Sequence, residues 1–165
     1  MTPGDSIFVI GMEPGPYRIS VMRGEIDSEA GVFLKNTRAA GAYYGGGTNG
    51  YVVAKAKPGD VLAITGIETR PQGSSPKTHW PCNGETTIVF QLPRDTATVY
   101  VGDITYRPGS KSPELVYTED LSAAQAHVRA NYANLGSTPE KIEHQILPVS
   151  QPCFDNVGPV IPIGI

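Results

Sequence analysis

The chain has 165 residues, with 13 basic and 16 acidic side chains and a net charge of −3. That length can bury a core without metals or a dense set of disulfides. The charge balance argues against a nucleic-acid binder and against an acidic disordered chain. No apolar run nears the roughly 18 residues that a membrane helix needs, so the chain is not expected to span a membrane.

The first two-thirds read as all-β, with short β-branched and aromatic runs separated by Gly, Pro, Asn and Asp. Residues 6–12 are mostly apolar and predict a strand buried on both faces. Glu13-Pro14-Gly15-Pro16 predicts a turn. Tyr17, Ile19 and Val21 then alternate on one face of a strand over 17–22. Residues 31–35 predict a short strand, 39–50 a glycine-rich loop, and 51–56 a strand with Val52, Ala54 and Ala56 facing one way. Lys57-Pro58-Gly59-Asp60 suits a type II turn, since proline presets φ and glycine accepts a positive one. With an apolar run over 61–67 beyond it, a hairpin is expected here. Residues 70–84 form a polar loop with three prolines, long enough to suggest function. Residues 86–92 alternate, 96–106 carry the longest strand signal, and 115–117 predict a last short strand of this set.

The period then changes. Over about 119–135, Leu121, Ala124, Val128, Tyr132 and Leu135 recur three or four apart, which is one face of a helix. Thr118 or Asp120 suits its N-cap, Ser122 with Gln125 offers a capping box, and Gly136 suits a C-terminal cap. Proline fits a first helical position, so Thr138-Pro139-Glu140 can begin one further turn. Residues 142–149 predict an edge strand. The remainder, 150–165, is a Pro/Gly-rich arm whose last nine residues carry no charge. It reads as an extended arm packed along the domain, a disordered tail, or a strand donated to a neighbour. Packing is favoured, because an exposed apolar tail invites aggregation.

Cys82 and Cys153 stand far apart and lack zinc-ligand spacing. One disulfide closing a long loop is their simplest use, with two unrelated buried thiols as the alternative. His79, His127 and His144 show no metal spacing either. Glu25, Asp27 and Glu29 alternate like the start of a calcium loop, but the sixth and twelfth positions are Ala30 and Asn36, so a solvated turn is expected. The glycines of 41–50 lead into a strand, not into the Lys-Ser/Thr and helix of a phosphate loop. Tyr43, Tyr44 and Asn49 in that loop, with His79 and Trp80 in the long polar loop, form a candidate binding surface, because loop aromatics give wide contact at low entropy cost. Asp103 falls inside a strand pattern and is expected to find Arg107 or a cross-strand lysine. Glu119 and Asp120 at a helix start are explained by the helix dipole. No catalytic residue, metal ligand or cofactor site emerges.

The run Thr98-Val99-Tyr100-Val101-Gly102-Asp103-Ile104 after Leu92-Pro93, together with Pro14-Gly15-Pro16-Tyr17-Arg18-Ile19, resembles small extracytoplasmic β-sandwich domains of bacteria of the lipoprotein type. That resemblance implies an immunoglobulin-like or transthyretin-like sandwich, an envelope location and a binding or structural role. It supplies no catalytic residues, and the helix near the C-terminus departs from it.

The expectations are as follows. The fold is a mainly antiparallel β-sandwich of seven to nine strands with one C-terminal amphipathic helix packed on it. Residues 1–149 form a single domain and 150–165 an arm. The core contains Ile7, Val9, Ile19, Val21, Val52, Ile64, Ile88, Phe90, Val99 and Val101. The function is a non-catalytic module that binds a protein or glycan of the cell envelope through its loops. The alternatives are an assembly subunit that homo-oligomerises through the arm, and a hydrolase with acids from different strands. The location is periplasmic or extracellular, with an export signal that stood ahead of Met1; the alternative is cytoplasmic.

Overall fold

A computed structural model describes residues 4–12, 17–70, 72–107 and 114–153. The expected turn at 13–16 and the arm beyond Cys153 lie outside the described residues. The elements are β1 (Ser6–Met12), β2 (Tyr17–Asp27), β3 (Val32–Lys35), β4 (Tyr43–Gly45), β5 (Tyr51–Ala56), β6 (Val61–Thr69), β7 (Lys77–His79), β8 (Thr86–Gln91), β9 (Thr98–Arg107), β10 (Glu114–Thr118), α1 (Leu121–Asn131), β11 (Glu140–Lys141) and β12 (His144–Pro148).

The first sheet runs β10-β9-β1-β5, with β11 beside β9. All seven residues of β1 are buried, as its unbroken apolar run requires. Phe8, Ile10 and Met12 point into the sandwich, while Val9 points to the opposite face. The pairing of β1 with β9 is parallel and carries a bulge opposite Val9 and Ile10. Long-range parallel pairing of this kind leaves no local mark in a sequence.

The second sheet runs β12-β8-β6-β2-β3, with β4 on the free half of β2 and β7 on the free half of β6. Its inward residues, Ile19, Val21, Leu62, Ile64, Ile67, Ile88 and Phe90, meet Phe8, Ile10, Val52, Val99 and Val101 of the first sheet. Every residue expected in the core is buried.

Both outer faces need cover, and they receive it differently. Helix α1 lies on the first sheet, where Ala124 and Val128 pack on Val9 and Tyr100. Asp120 caps the helix by accepting the Ala123 N–H at 3.0 Å. Tyr132 ends it, a short 3₁₀ turn over Ala133–Leu135 follows, and Gly136 closes that turn at φ 68°. On the second sheet, one end is covered by the sheet's own curl. Phe33 of β3 bridges Val149 just after β12, and Phe33, Ala63, Val89 and Val149 form a small separate core. Phe33 lies over Gly24, where a Cβ would strike its ring.

The expected sandwich with one packed helix is therefore present, and three details differ. There are twelve strands among the described residues, because β4, β7 and β11 are short pairings inside stretches that read as loops or as a helical turn. Residues 138–140 accordingly do not begin a helix; Glu140 and Lys141 pair with Val99 and Tyr100. The turn at Lys57–Asp60 forms, with Gly59 at φ 83° and Asp60 N–H donating to the Lys57 carbonyl at 3.1 Å. It does not make a hairpin. β5 pairs with β1 and β6 with β2 and β8, so the turn arches from one sheet to the other. The arch is held from outside: Gly59 donates to the Pro93 carbonyl, Leu92 donates to the Asp60 carbonyl, and Arg23 pairs with Asp60 at 2.8 Å.

Candidate functional site

The half of the second sheet's outer face that the curl leaves open is a groove. It is lined by Ser20 and Met22 of β2, the segment Gly41–Tyr44, Glu68 of β6, Thr78 of β7, and Trp80. Its volume is about 740 Å³, in the range of small-molecule sites. The alternation of β2 decides its floor. Ile19 and Val21 go inward, so Ser20 and Met22 must face out. In β6 the register shifts opposite Ser20 and Val21, with Thr65 as the extra residue. This bulge brings Gly66 opposite Ser20 and leaves a flat spot beneath Trp80. A Cβ on Gly66 would fall within 2.6 Å of the Trp80 ring.

Tyr44 and Trp80 stand on opposite walls, on strand β4 and directly after β7 respectively. They are 56% and 48% exposed, the two most exposed large apolar side chains among the described residues. The Tyr44 hydroxyl donates to Glu68 Oε2 at 2.7 Å, and Arg70 Nε donates to Oε1 at 2.6 Å. Those two bonds, Arg70 first, hold the Glu68 carboxyl below the usual carboxylate range. Tyr43 is half-buried and donates to the Gly46 carbonyl at 2.7 Å, which folds the glycine loop back on itself.

The wall carrying Trp80 is tied down. Cys82 and Cys153 form a disulfide across 71 residues. Asn83 N–H donates to the Gln151 carbonyl, Gly84 N–H to that of Val149, and Gln151 Nε2 to that of Pro81. The Cys82 N–H donates to Glu85 Oε2, which also lies 3.5 Å from His79 Nε2. A disulfide of this kind persists in oxidising compartments. No helix among the described residues is long and apolar enough to cross a membrane.

Of the five expected surface residues, Tyr43, Tyr44 and Trp80 line the groove. His79 sits beside it in β7, engaged with Glu85. Asn49 does not join them. It occupies a left-handed turn at φ 51° between Thr48 and Tyr51, where Asn is favoured for backbone reasons. The sequence does not single out Ser20 and Met22, because which strand residues face outward depends on the pairing, nor Glu68 and Thr78, because β6 runs on past residue 67 and β7 forms inside the stretch read as a loop.

A second, smaller pocket of about 290 Å³ lies on the first sheet near the start of α1, lined by Gly11, Tyr51, Asp103, Thr105 and Thr118 among others. Here Asp103 departs from expectation. Among the described residues it pairs with neither Arg107 nor a lysine and its Oδ1 is buried without a hydrogen-bond partner; that oxygen occupies the space a Cβ on Gly11 would fill. Burial raises its pKa, and the charges of Asp120 and Glu119 push the same way, while the Tyr100 hydroxyl offsets part of the effect. Asp120 is spent on capping and Glu119 on Lys141 at 2.6 Å, so the acids do not converge on one point. Behind the pocket His127, on the buried face of α1, is stacked on Tyr51 at 4.5 Å, and burial lowers its pKa. At Glu25–Glu29, Asp27 caps its own turn by accepting the N–H groups of Glu29 and Ala30, as expected of a solvated turn. No cluster of three or more metal-ligating side chains occurs among the described residues.

No family model matches the chain, and no curated protein and no solved structure matches it significantly.

Proposed function

We propose that this chain is a non-catalytic binding module of the periplasm or the cell exterior, and that it recognises a glycan in the groove on its second sheet. One observation carries the reading: two exposed aromatic side chains, Tyr44 and Trp80, wall a groove whose lining also includes the hydroxyl-bearing Ser20 and Thr78. A sugar ring presents apolar C–H faces and a rim of hydroxyls. An aromatic wall beside Ser20, Thr78 and Tyr44 complements both. The walls are fixed by strand pairing and by the Cys82–Cys153 bridge, so little ordering remains to oppose binding. The disulfide supports the extracytoplasmic location, in keeping with the resemblance to envelope domains.

The hydrolase alternative fits less well. Glycoside cleavage uses two carboxyl groups, one of them a proton donor with a raised pKa. Glu68 is the one acid of the groove lining among the described residues, and its pKa is lowered.

The test uses Trp80, the chain's single tryptophan. A printed array of oligosaccharides identifies ligands, and each is then titrated against intrinsic fluorescence. A saturable change in Trp80 emission is expected. Tyr44→Ala should weaken binding by about tenfold or more, the effect of losing an aromatic anchor. Array ligands that bind with no change in Trp80 emission and no sensitivity to Tyr44→Ala would contradict the assignment.

A further inference from the structure

The groove's charge extends the glycan reading, on which this inference rests. Each aromatic wall carries a cation. Arg18 lies over the Tyr44 ring at 6.0 Å, and the Lys35 ammonium lies over the Trp80 ring at the same distance. Neither joins an ion pair among the described residues. Glu68, which lines the groove and stands opposite Arg18 across the β2–β6 pairing, carries one negative charge and already pairs with Arg70, so it cannot neutralise both cations. Arg18, Lys35 and Arg70 thus stand at a groove whose lining carries Glu68, in a chain whose net charge is −3. A cation resting on a ring keeps N–H donors free on its outer side, and a guanidinium fork matches a carboxylate or sulfate.

We propose that the glycan held between Tyr44 and Trp80 is an acidic one, with Arg18 and Lys35 receiving a sugar-borne carboxylate or sulfate. The rings supply stacking and the cations select charge. A neutral chain of the same shape would leave both cations without a partner.

The experiment compares matched pairs by Trp80 fluorescence and calorimetry. Oligogalacturonate is set against its full methyl ester, which tests the carboxylate. A κ-carrageenan oligosaccharide is set against its desulfated form, which tests the sulfate. A printed array of acidic and neutral glycans widens the sugar stereochemistry beyond these pairs. The expected result is that ligands of the groove are acidic and that the neutral member of a binding pair is at least about tenfold weaker. Affinity should drop by about tenfold between roughly 50 mM and roughly 500 mM salt. Arg18→Gln and Lys35→Gln should each weaken binding about fivefold. Lys55→Gln, which removes a charge from β5 on the other sheet, should leave it unchanged. Circular dichroism confirms that each variant is folded. Neutral glycans bound as tightly as acidic ones, with Tyr44→Ala still harmful, would overturn the charge proposal and leave the glycan reading standing. Failure of every glycan, acidic and neutral, would sink both.

Discussion

The two sheets treat their outer faces in opposite ways. On the first, Val9 and Tyr100 are buried under Ala124 and Val128 of the helix, and the Tyr100 hydroxyl accepts a hydrogen bond from the Asp120 N–H at 2.8 Å. On the second, the curl of β3 toward β12 covers only one end, and Tyr44 and Trp80 are left in water at the other. Burying an aromatic side chain stabilises by about 1.5–3 kcal/mol relative to exposure. A chain that supplies a helix to cover one face but leaves two aromatics open on the other forgoes that gain where a ligand can recover it. On the proposed reading the covered face accounts for stability and the open face for recognition, and substitutions should separate the two.

The largest effect belongs to the covered face. Tyr100 is fully buried, and Tyr100→Ala should cost about 3–5 kcal/mol in urea unfolding, with ligand affinity of the folded fraction unchanged. Breaking the disulfide comes next. Closing a loop of 71 residues is worth roughly 4 kcal/mol in the chain-entropy model. Reduction should lower the melting temperature and also weaken ligand binding, because the bridge anchors the Trp80 wall. A reduced protein with unchanged affinity would detach the disulfide from the groove.

The open face responds the other way. Gly66→Ala places a methyl group against the Trp80 ring, which must move off the sheet. Ligand affinity should fall by about tenfold, while unfolding changes by no more than about 1 kcal/mol. A large stability loss with intact binding would reverse the roles assigned to the two faces.

The smallest effect sharpens the covered face again. The pKa of His127 is lowered from 6.5 by burial, and its Nε2 has no partner among the described residues. The unfolded chain therefore takes up a proton more readily than the folded one. Stability from this group is complete above about pH 6.5 and declines as the pH falls from there toward the folded-state value. Urea midpoints measured from pH 8 to pH 5 should show that decline, and His127→Gln should flatten it. An identical pH profile in the variant would remove His127 from the account.

Much of the fold was legible because it is written in local pattern. The unbroken apolar run of β1 announced burial on both faces, and the three-four spacing of Leu121, Ala124 and Val128 announced the helix face. The arch at Lys57–Asp60 was not legible, since the same Pro-Gly turn serves a hairpin or a crossing between sheets. What decides is the company of β5 and β6, set by long-range pairing with β1, β2 and β8. The groove divides in the same way. Tyr44 and Trp80 stood out because aromatics in loops are conspicuous. Ser20 and Met22 were hidden within a strand pattern, Glu68 lay past the end of one, and Thr78 lay in a stretch that reads as a loop; the pairing, with its bulge at Thr65, decides which of them face the groove. Asn49 misled because a residue chosen for its backbone conformation looks, in sequence, like one chosen for contact.

The most direct test of the division between the faces is a ¹H–¹⁵N map of amide shifts while an array-identified glycan is titrated in. Shifts should concentrate at Ser20, Tyr44, Gly66, Glu68, Thr78 and the Trp80 indole, and leave Ala124, Val128 and Tyr100 unmoved. Shifts confined to the helix and to Asp103, with the Trp80 indole silent, would contradict the account and place recognition on the covered face.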